Sequence, residues 1–490
     1  MATKQSSLAG NIREFEIFQA KEGGGGKSID ASEAIVDIKY YEDVLSNSVS
    51  MTATVVESGE TDKKDVGNVG ILDGLPIRGG EPAHIVIEDH DKNKLKFKRD
   101  NKLYVNRVKN VLPGTSKDVY SIDFAPRELF ANEQCRVVRR YDGKISDNIR
   151  EILSKETSKG VGIKTKKKLD IDETALKFNF IGNDRKPFYV CTWLASKSVP
   201  AEAGKVGGAA GYLFYETYDG FKFKSIDVLF DKKKNKPKGN YIFTNTDDNP
   251  KSGQYKGKIL SYEIDRDIDL QNQLVIGAYS NRTLFFDFKA YSYQVQNFSV
   301  DPPIEKSEGE EGERTSNDSS KGKIETLGKD DLPLVAPEFR KPISRLMNRV
   351  LDIGVLVEGK TTKEQLEKDK EKPLEPNFDV SKSMVQSVMR YNQMFSIKIN
   401  IMIAGDFSLR AGDLIHCEFP KLSTEPNTQV NKKSGGLYMI ASLCHNITPQ
   451  ETYTSLTLVR DTFGRKPFRS AKHDKASRDY QNAKGDVLLS

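Results

Sequence analysis

Ile77-Arg78-Gly79-Gly80-Glu81-Pro82-Ala83-His84 returns more than three hundred residues later as Leu409-Arg410-Ala411-Gly412-Asp413-Leu414-Ile415-His416. Both copies run in the order apolar, Arg, small, Gly, acid, two spacers, His. Each leads into β-forming residues, Ile85-Val86-Ile87-Glu88 and Cys417-Glu418-Phe419. Downstream, Leu103-Tyr104 and Ser121-Ile122-Asp123-Phe124 are matched by Leu437-Tyr438 and Ser455-Leu456-Thr457-Leu458, with the same Tyr-to-Ser interval. Both blocks close on an Arg-acid pair, Arg127-Glu128 and Arg460-Asp461. Gly80 and Gly412 stand where a tight turn hands over to a strand, and glycine accepts positive φ there without strain. Glu81 and Asp413 follow directly, placed to accept hydrogen bonds from the turn amides. The pattern predicts one β module carried twice, with Arg78, Gly80, Glu81, Arg410, Gly412 and Asp413 as its turn signature. Two equivalent modules offer two equivalent surfaces, which suits a ring.

Outward from the first copy, residues 1–128 read as a β domain: Glu14–Phe18, Ala34–Ile38 and the alternating Ser48–Val55 are β-rich. Residues 129–235 read as a small α+β domain. Lys144–Leu153 has helical spacing with Ser146 as N-cap, Pro187 opens a helix from Phe188 to Ser198, and Asp219-Gly220 marks a hairpin. The strand-rich segment 236–300 is expected to begin the second β domain. Residues 301–379 are read as a linker with an inserted helical segment around Pro342–Leu351. Within it, Pro302–Asp331 is too polar to offset the entropy of ordering and reads as disordered. The second β domain is placed at 380–464, opening on a helix at Ser381–Asn392, with a flexible tail at 465–490. The fold class is therefore mainly β with α+β: two similar tube-type β-barrel or sandwich domains flanking a small α+β domain, with a long disordered linker.

Composition narrows the function classes. The 490 residues are 37% hydrophobic and 30% charged, which suits a soluble protein with modest cores. Lys and Arg number 76 against 70 acids, and the net charge of +6 is spread along the chain instead of forming a nucleic-acid stripe. Lys166–Lys168 and Lys232–Lys234 read as solvated loops. Cys135, Cys191, Cys417 and Cys444 lack paired spacing, as expected of free thiols made in a reducing compartment. Met1–Gln5 lacks a signal-peptide core, and no apolar run nears the roughly 20 residues of a membrane span.

No motif favours catalysis, a cofactor or a metal. Gly23–Gly26 with Lys27-Ser28 imitates a phosphate loop, but Lys21 stands where the motif needs its first Gly, and a strand follows where a helix should. His84, His416 and His445 have no short ligand spacing and read as strand-edge histidines. Neither a Gly-x-Ser-x-Gly elbow nor a His-Glu-x-x-His helix occurs. Glu216 and Asp227 are isolated acids in the sequence. The expectation is a protein that is not an enzyme.

The chain resembles the central baseplate hub proteins of T-even-type contractile-tailed phages, relatives of phage late control proteins and of the N-terminal regions of type VI secretion spikes. The resemblance rests on Tyr40-Tyr41-Glu42-Asp43-Val44-Leu45, the Gly80-Glu81 turn, Tyr141–Asp147, Lys186-Pro187-Phe188, Trp193-Leu194-Ala195, Gly211–Thr217 with Asp219-Gly220-Phe221, Leu409–Asp413 and Gly436–Ile440. The acidic 302–331 segment and the basic tail depart from the pattern. The resemblance implies a structural virion protein of the tail baseplate, assembled in the host cytoplasm, with a tail-associated cell-wall hydrolase as the alternative. It implies a homotrimer whose six tube-type domains make a pseudo-sixfold ring between a sixfold tail tube and a threefold spike. Implied partners are tail tube or tube-initiator proteins, the central spike and baseplate wedge proteins. DNA would pass through the channel without specific binding, and no membrane is involved. Ser48–Val55 and Phe395–Ile403 are the strands expected to pair across subunits.

Overall fold

The computed structural model describes residues 10–19, 27–58, 70–75, 77–112, 114, 117–175, 177–201, 210–243, 257–265, 270–277, 279–287, 292–299, 335–350, 380–420 and 434–461. The expected disordered segment 302–331 and the tail 465–490 lie outside these residues, as does Gly23–Gly26.

The first body comprises β1 (Asn11–Phe18), β2 (Ser28–Asp30), β3 (Ile35–Asp43), β4 (Ser50–Glu57), β5 (Pro82–Glu88), β6 (Lys94–Phe97), β7 (Leu103–Leu112) and β8 (Asp118–Pro126). Period-two alternation decides its inside: Met51, Ala53 and Val55 of β4 face a core shared with Phe15, Ile17, Ile85, Ile122 and Phe124. The strand order is β2-β1-β5-β7-β8-β4-β3. The β2–β3 bend brings the ends together, because Ala31 N donates to Phe15 O on β1 and Val56 N donates to Ala34 O.

A smaller α+β body follows, with β9 (Arg140–Tyr141), β10 (Leu169–Ile171), β11 (Phe180–Ile181), β12 (Tyr212–Thr217) and β13 (Gly220–Ser225). Its helices include Arg127–Gln134, Ile145–Ser154 and Pro187–Ala195, the last with Pro at the first helical position as its sequence predicts. Ser146 is not the N-cap. Lys144 takes that place, and the Thr174 hydroxyl from another segment accepts from Ser146 N at 3.1 Å.

The remainder supplies β14 (Asn240–Phe243), β15 (Lys258–Asp265), β16 (Ser280–Asp287), β17 (Ser292–Ser299), β18 (Arg345–Val350), β19 (Ile397–Ala404), β20 (Leu414–Glu418), β21 (Gly436–Ile447) and β22 (Thr452–Arg460), with a helix at Val380–Met394. Strands β14, β15, β19, β22, β21 and β20 close on one another as a six-stranded barrel. Segment 236–300 therefore divides: β14 and β15 enter the barrel, while β16 and β17 join β18 in a separate sheet, order β17-β16-β18. The helix expected around Pro342–Leu351 is instead strand β18. Arg345 and Arg349, four apart, imitate a helix face, but Leu346, Asn348 and Val350 alternate outward around buried Met347.

The two barrels correspond strand by strand. The order β3-β4-β8-β7-β5-β1 in the first matches β15-β19-β22-β21-β20-β14 in the second. Register agrees as well: Ile35 opposes Val55 as Ile259 opposes Ile403, and Val55 opposes Tyr120 as Ile403 opposes Thr454. Val105 opposes Phe124 as Ile440 opposes Leu458, and Pro82 opposes Tyr104 as Leu414 opposes Met439. Two irregularities recur in place, between Ile35 and Asp37 as between Ile259 and Ser261, and between Val105 and Arg107 as between Ile440 and Ser442. Bulges re-aim a strand and reset its register, so their recurrence makes the likeness specific. Three differences stand. Strand β14 runs parallel to β20, whereas β1 runs antiparallel to β5. Strand β14 pairs with β15 to close the second barrel, whereas among the described residues β1 and β3 do not pair. Strand β7 carries a further irregularity between Lys109 and Leu112 that β21 lacks.

This register corrects one sequence match. Tyr438 opposes Ile415 as Leu103 opposes Ala83, so Tyr438 corresponds to Leu103 and not to Tyr104. A one-residue slip on a strand exchanges its faces, and Leu103 and Tyr438 are both fully buried. A second correction concerns edges. Strand β4 is flanked by β3 and β8, and β19 by β15 and β22, so Ser48–Val55 and Phe395–Ile403 are interior.

Strand β3 pairs antiparallel with β21, Tyr41 opposite Cys444 and Tyr40 opposite His445, fusing both barrels into one sheet. A fourth core seals the junction from all three bodies, with Val44, Leu213, Tyr215, Leu229, Met394, Ala411, Leu414 and Met439. The Val, Leu and Met side chains among them contribute about 1.5–3 kcal/mol each on full burial.

Candidate functional site at the barrel junction

Both signature turns use one hydrogen-bonding device. In the first, Gly80 has φ +91°, Gly80 N donates to Val105 O at 2.7 Å, and Val105 N returns a bond to Glu81 O at 2.9 Å. Arg78 N and Gly79 N donate to the Glu81 carboxylate at 2.8 and 2.9 Å. In the second, Gly412 has φ +89°, Gly412 N donates to Ile440 O at 2.8 Å, and Ile440 N donates to Asp413 O at 2.9 Å. Arg410 N donates to Asp413 Oδ2 at 3.0 Å. The left-handed glycine turns the chain and the acid fixes it.

Their surroundings are opposite. Arg78, Gly79 and Gly80 are exposed, and the glycines border an open hollow of about 370 Å³ with Tyr104, Arg127 and Phe130. Arg410, Ala411 and Asp413 are buried. The Arg410 guanidinium donates to Phe407 O and Leu409 O at 2.8 and 2.7 Å, lies 4.7 Å from the Tyr218 ring centroid and 3.3 Å from Asp219 Oδ2. Glu42 of β3 accepts from Ala411 N at 2.9 Å, Tyr218 N at 2.7 Å and Tyr40 Oη at 2.9 Å. One carboxylate thus ties the first barrel to the second turn and to the β12–β13 hairpin. Burial pushes the Glu42 carboxyl up, and Arg410 with the two amides pulls it back.

Two further buried cations hold the junction. Lys167, expected in a solvated loop, is buried; its Nζ lies 2.5 Å from Glu216 Oε1 and 3.6 Å from Glu128 Oε2. The other Glu216 oxygen accepts from Val49 N at 3.1 Å. Burial raises the Glu216 carboxyl and Lys167 opposes the rise. Arg390, from the helix Val380–Met394, binds Asp227 at 2.8 Å and Asp461 at 3.3 Å. The acids closing the two repeat blocks, Glu128 and Asp461, therefore each meet a buried cation from another element. Glu216 and Asp227, featureless in sequence, are members of these pairs. The arrangement provides rigid positioning of three bodies.

His84 opposes Glu16 on β1, and His416 opposes Leu437 and Asn240 in the other barrel. Among the described residues, Glu14, Glu16 and His84 bring three donor atoms within 4.8 Å of one another, but Lys98 Nζ already lies 2.6 Å from Glu14 Oε2. His445 sits fully buried in the seam, its Nδ1 2.8 Å from Thr454 Oγ1 and its ring stacked on Tyr40. Burial, with the Arg410 cation nearby, lowers its pKa to about 3, so the ring is neutral. No helix among the described residues is long and apolar enough to cross a membrane.

No family profile and no curated protein matches the chain. Among solved structures, the fold is similar to a tail protein from Neisseria meningitidis MC58, at 10% identity over 93% of this chain and 98% of that one, with a TM-score of 0.49. It is also similar to the 43 kDa tail protein of prophage MuSo2 from Shewanella oneidensis, at 10% identity over 93% and 100% of the two chains, TM-score 0.44. A third is the E. coli c3393 protein, a component of the type VI secretion system, at 8% identity over 94% and 79%, TM-score 0.38.

Proposed function

We propose that the chain is a structural virion protein, a trimeric baseplate hub that joins a sixfold tail tube to a threefold central spike. The carrying observation is the pair of barrels with matched strand order, register and bulges, fused side by side through β3 and β21. Three copies supply six near-equivalent barrels, so one assembly meets sixfold symmetry on one face and threefold on the other. The Glu42 bonds to Ala411 N and Tyr218 N, and the Glu216 bond to Val49 N, tie the barrels and the α+β body together, in keeping with the fixed geometry that a closing ring requires. The ring's lumen passes DNA without gripping it, in keeping with a net charge of only +6. Tube or tube-initiator, spike and wedge proteins are the partners, and assembly takes place in the host cytoplasm.

Electron microscopy of the purified chain, alone and with spike protein, tests this. The expected particle is a three-lobed ring with an open centre; a stable monomer under both conditions overturns the reading. A peptidoglycan-release assay separates it from a cell-wall hydrolase, and clearing abolished by changing one acid would favour the enzyme.

A further inference from the structure

The internal β3–β21 seam has counterpart edges, one in each barrel, that are unpaired among the described residues. By register, β15 corresponds to β3 and β7 to β21. Inside the chain, β3 and β21 meet edge to edge, Tyr41 opposite Cys444. Their counterparts carry these edges unpaired among the described residues, with one departure. Strand β7 has an irregularity between Lys109 and Leu112, with Asn110 at φ +54°, that β21 lacks, so the register transfers as far as Lys109. Among the described residues, β7 from Arg107 onward pairs only with β8, and β15 beyond Ile259 pairs only with β19. Val111 and Leu112 on β7 are 48% and 67% exposed, and Ser261, Glu263 and Asp265 on β15 are exposed as well. Unpaired strand edges of this length are normally covered or blunted, because they template pairing with another chain.

We infer that β15 of one copy pairs antiparallel with β7 of the next, repeating the internal seam between molecules. The inference rests on the ring reading above and deepens it by naming the surface. Transferring the register places Asp265 opposite Lys109 of the next copy, the counterpart of Tyr41 opposite Cys444. Charge agrees at this pair, Lys109 against Asp265, while Arg107 and Glu263 add to the opposite signs of the two edges without standing across from each other. Opposite charges directly across an antiparallel pair are favourable, and like charges are not. The internal seam needs no such pairing because it is covalently tethered; an association between copies gains specificity from it. Contacts from β15 to β7 are head-to-tail, so the same contact repeats around the ring until it closes.

The test uses the full chain. In Lys109→Cys/Asp265→Cys, mild oxidation is expected to give a ladder ending at covalent trimer on a non-reducing gel, with each single variant giving none. Tyr41→Cys, facing native Cys444 at the corresponding position, serves as the internal control for reach. Separately, Lys109→Glu is expected to weaken association about fivefold per interface. Lys109→Glu/Asp265→Lys is expected to restore it, a rescue that loss of the Lys109–Asp123 ion pair at 2.8 Å cannot explain. A trimer by mass that neither cross-links through this pair nor responds to the charge swap overturns the pairing and leaves the ring reading standing. A wild-type monomer at tens of micromolar overturns both.

Discussion

The two signature turns share backbone geometry and differ in everything around it. Around Gly80 there is open space, and a methyl group would meet nothing within 4 Å; at Gly412 it would stand 2.2 Å from Tyr215 Oη. Arg78 reaches into solvent, while Arg410 neutralises a junction built from three bodies. The device that shapes a barrel is therefore separable from the use made of its outer side. One copy keeps the turn as a free surface, and the other consumes it in joining the molecule together.

The largest expected contrast comes from the arginines. Arg410→Met strands the buried Glu42 carboxylate and should cost about 3–5 kcal/mol of unfolding free energy. Arg78→Met should stay within about 0.5 kcal/mol. Equal losses in denaturant titrations would erase the distinction. Glycine substitution sharpens it sterically. Gly412→Ala combines left-handed strain with overpacking against Tyr215, at about 2–4 kcal/mol, whereas Gly80→Ala carries the strain alone, at about 1 kcal/mol.

Acid separates the seam from the free barrel surface. The lowered pKa of His445 makes its contribution whole above about pH 6.5 and lost as pH falls toward about 3, with a slope of at most about 1.4 kcal/mol per unit. Glu42 and Glu216, raised by burial, act in the opposite sense, their share being lost as pH rises through their folded values. Stability against pH for His445→Gln should show a flatter acid limb than wild type. His84→Gln, at a half-exposed β5 position where burial with Lys102 and Lys98 lowers the pKa less far, should flatten that limb less. At the first cap, Glu81→Ala removes the acceptor of two amides and is expected to cost about 1 kcal/mol in thermal unfolding.

Much of the barrel architecture was legible because its signals are local. A left-handed glycine followed by a capping acid, and alternation such as Ile397, Ile399, Ile401 and Ile403, need only neighbours to be read. The junction was not legible. Lys167 resembles any loop lysine until Glu128 and Glu216, 39 and 49 residues away, close around it. His445 and Tyr40 meet only because β3 pairs with β21, and no pattern along the chain announces a partner four hundred residues distant. The extra bulge in β7 between Lys109 and Leu112, absent from β21, caused the slip between Tyr104 and Tyr438, since an inserted residue shifts register without altering composition. In β18, the charge spacing outvoted the alternation beneath it.

The seam between β3 and β21 also sets a timetable. Strand β3 leaves the ribosome about four hundred residues before residues 442–447, which cover the edge it offers. Throughout translation the nascent first barrel carries a naked adhesive border, on polysomes where identical borders lie close by. Chains cut short before Gly436 keep that border permanently and should clump, so full-length translation is itself a guard against misassembly.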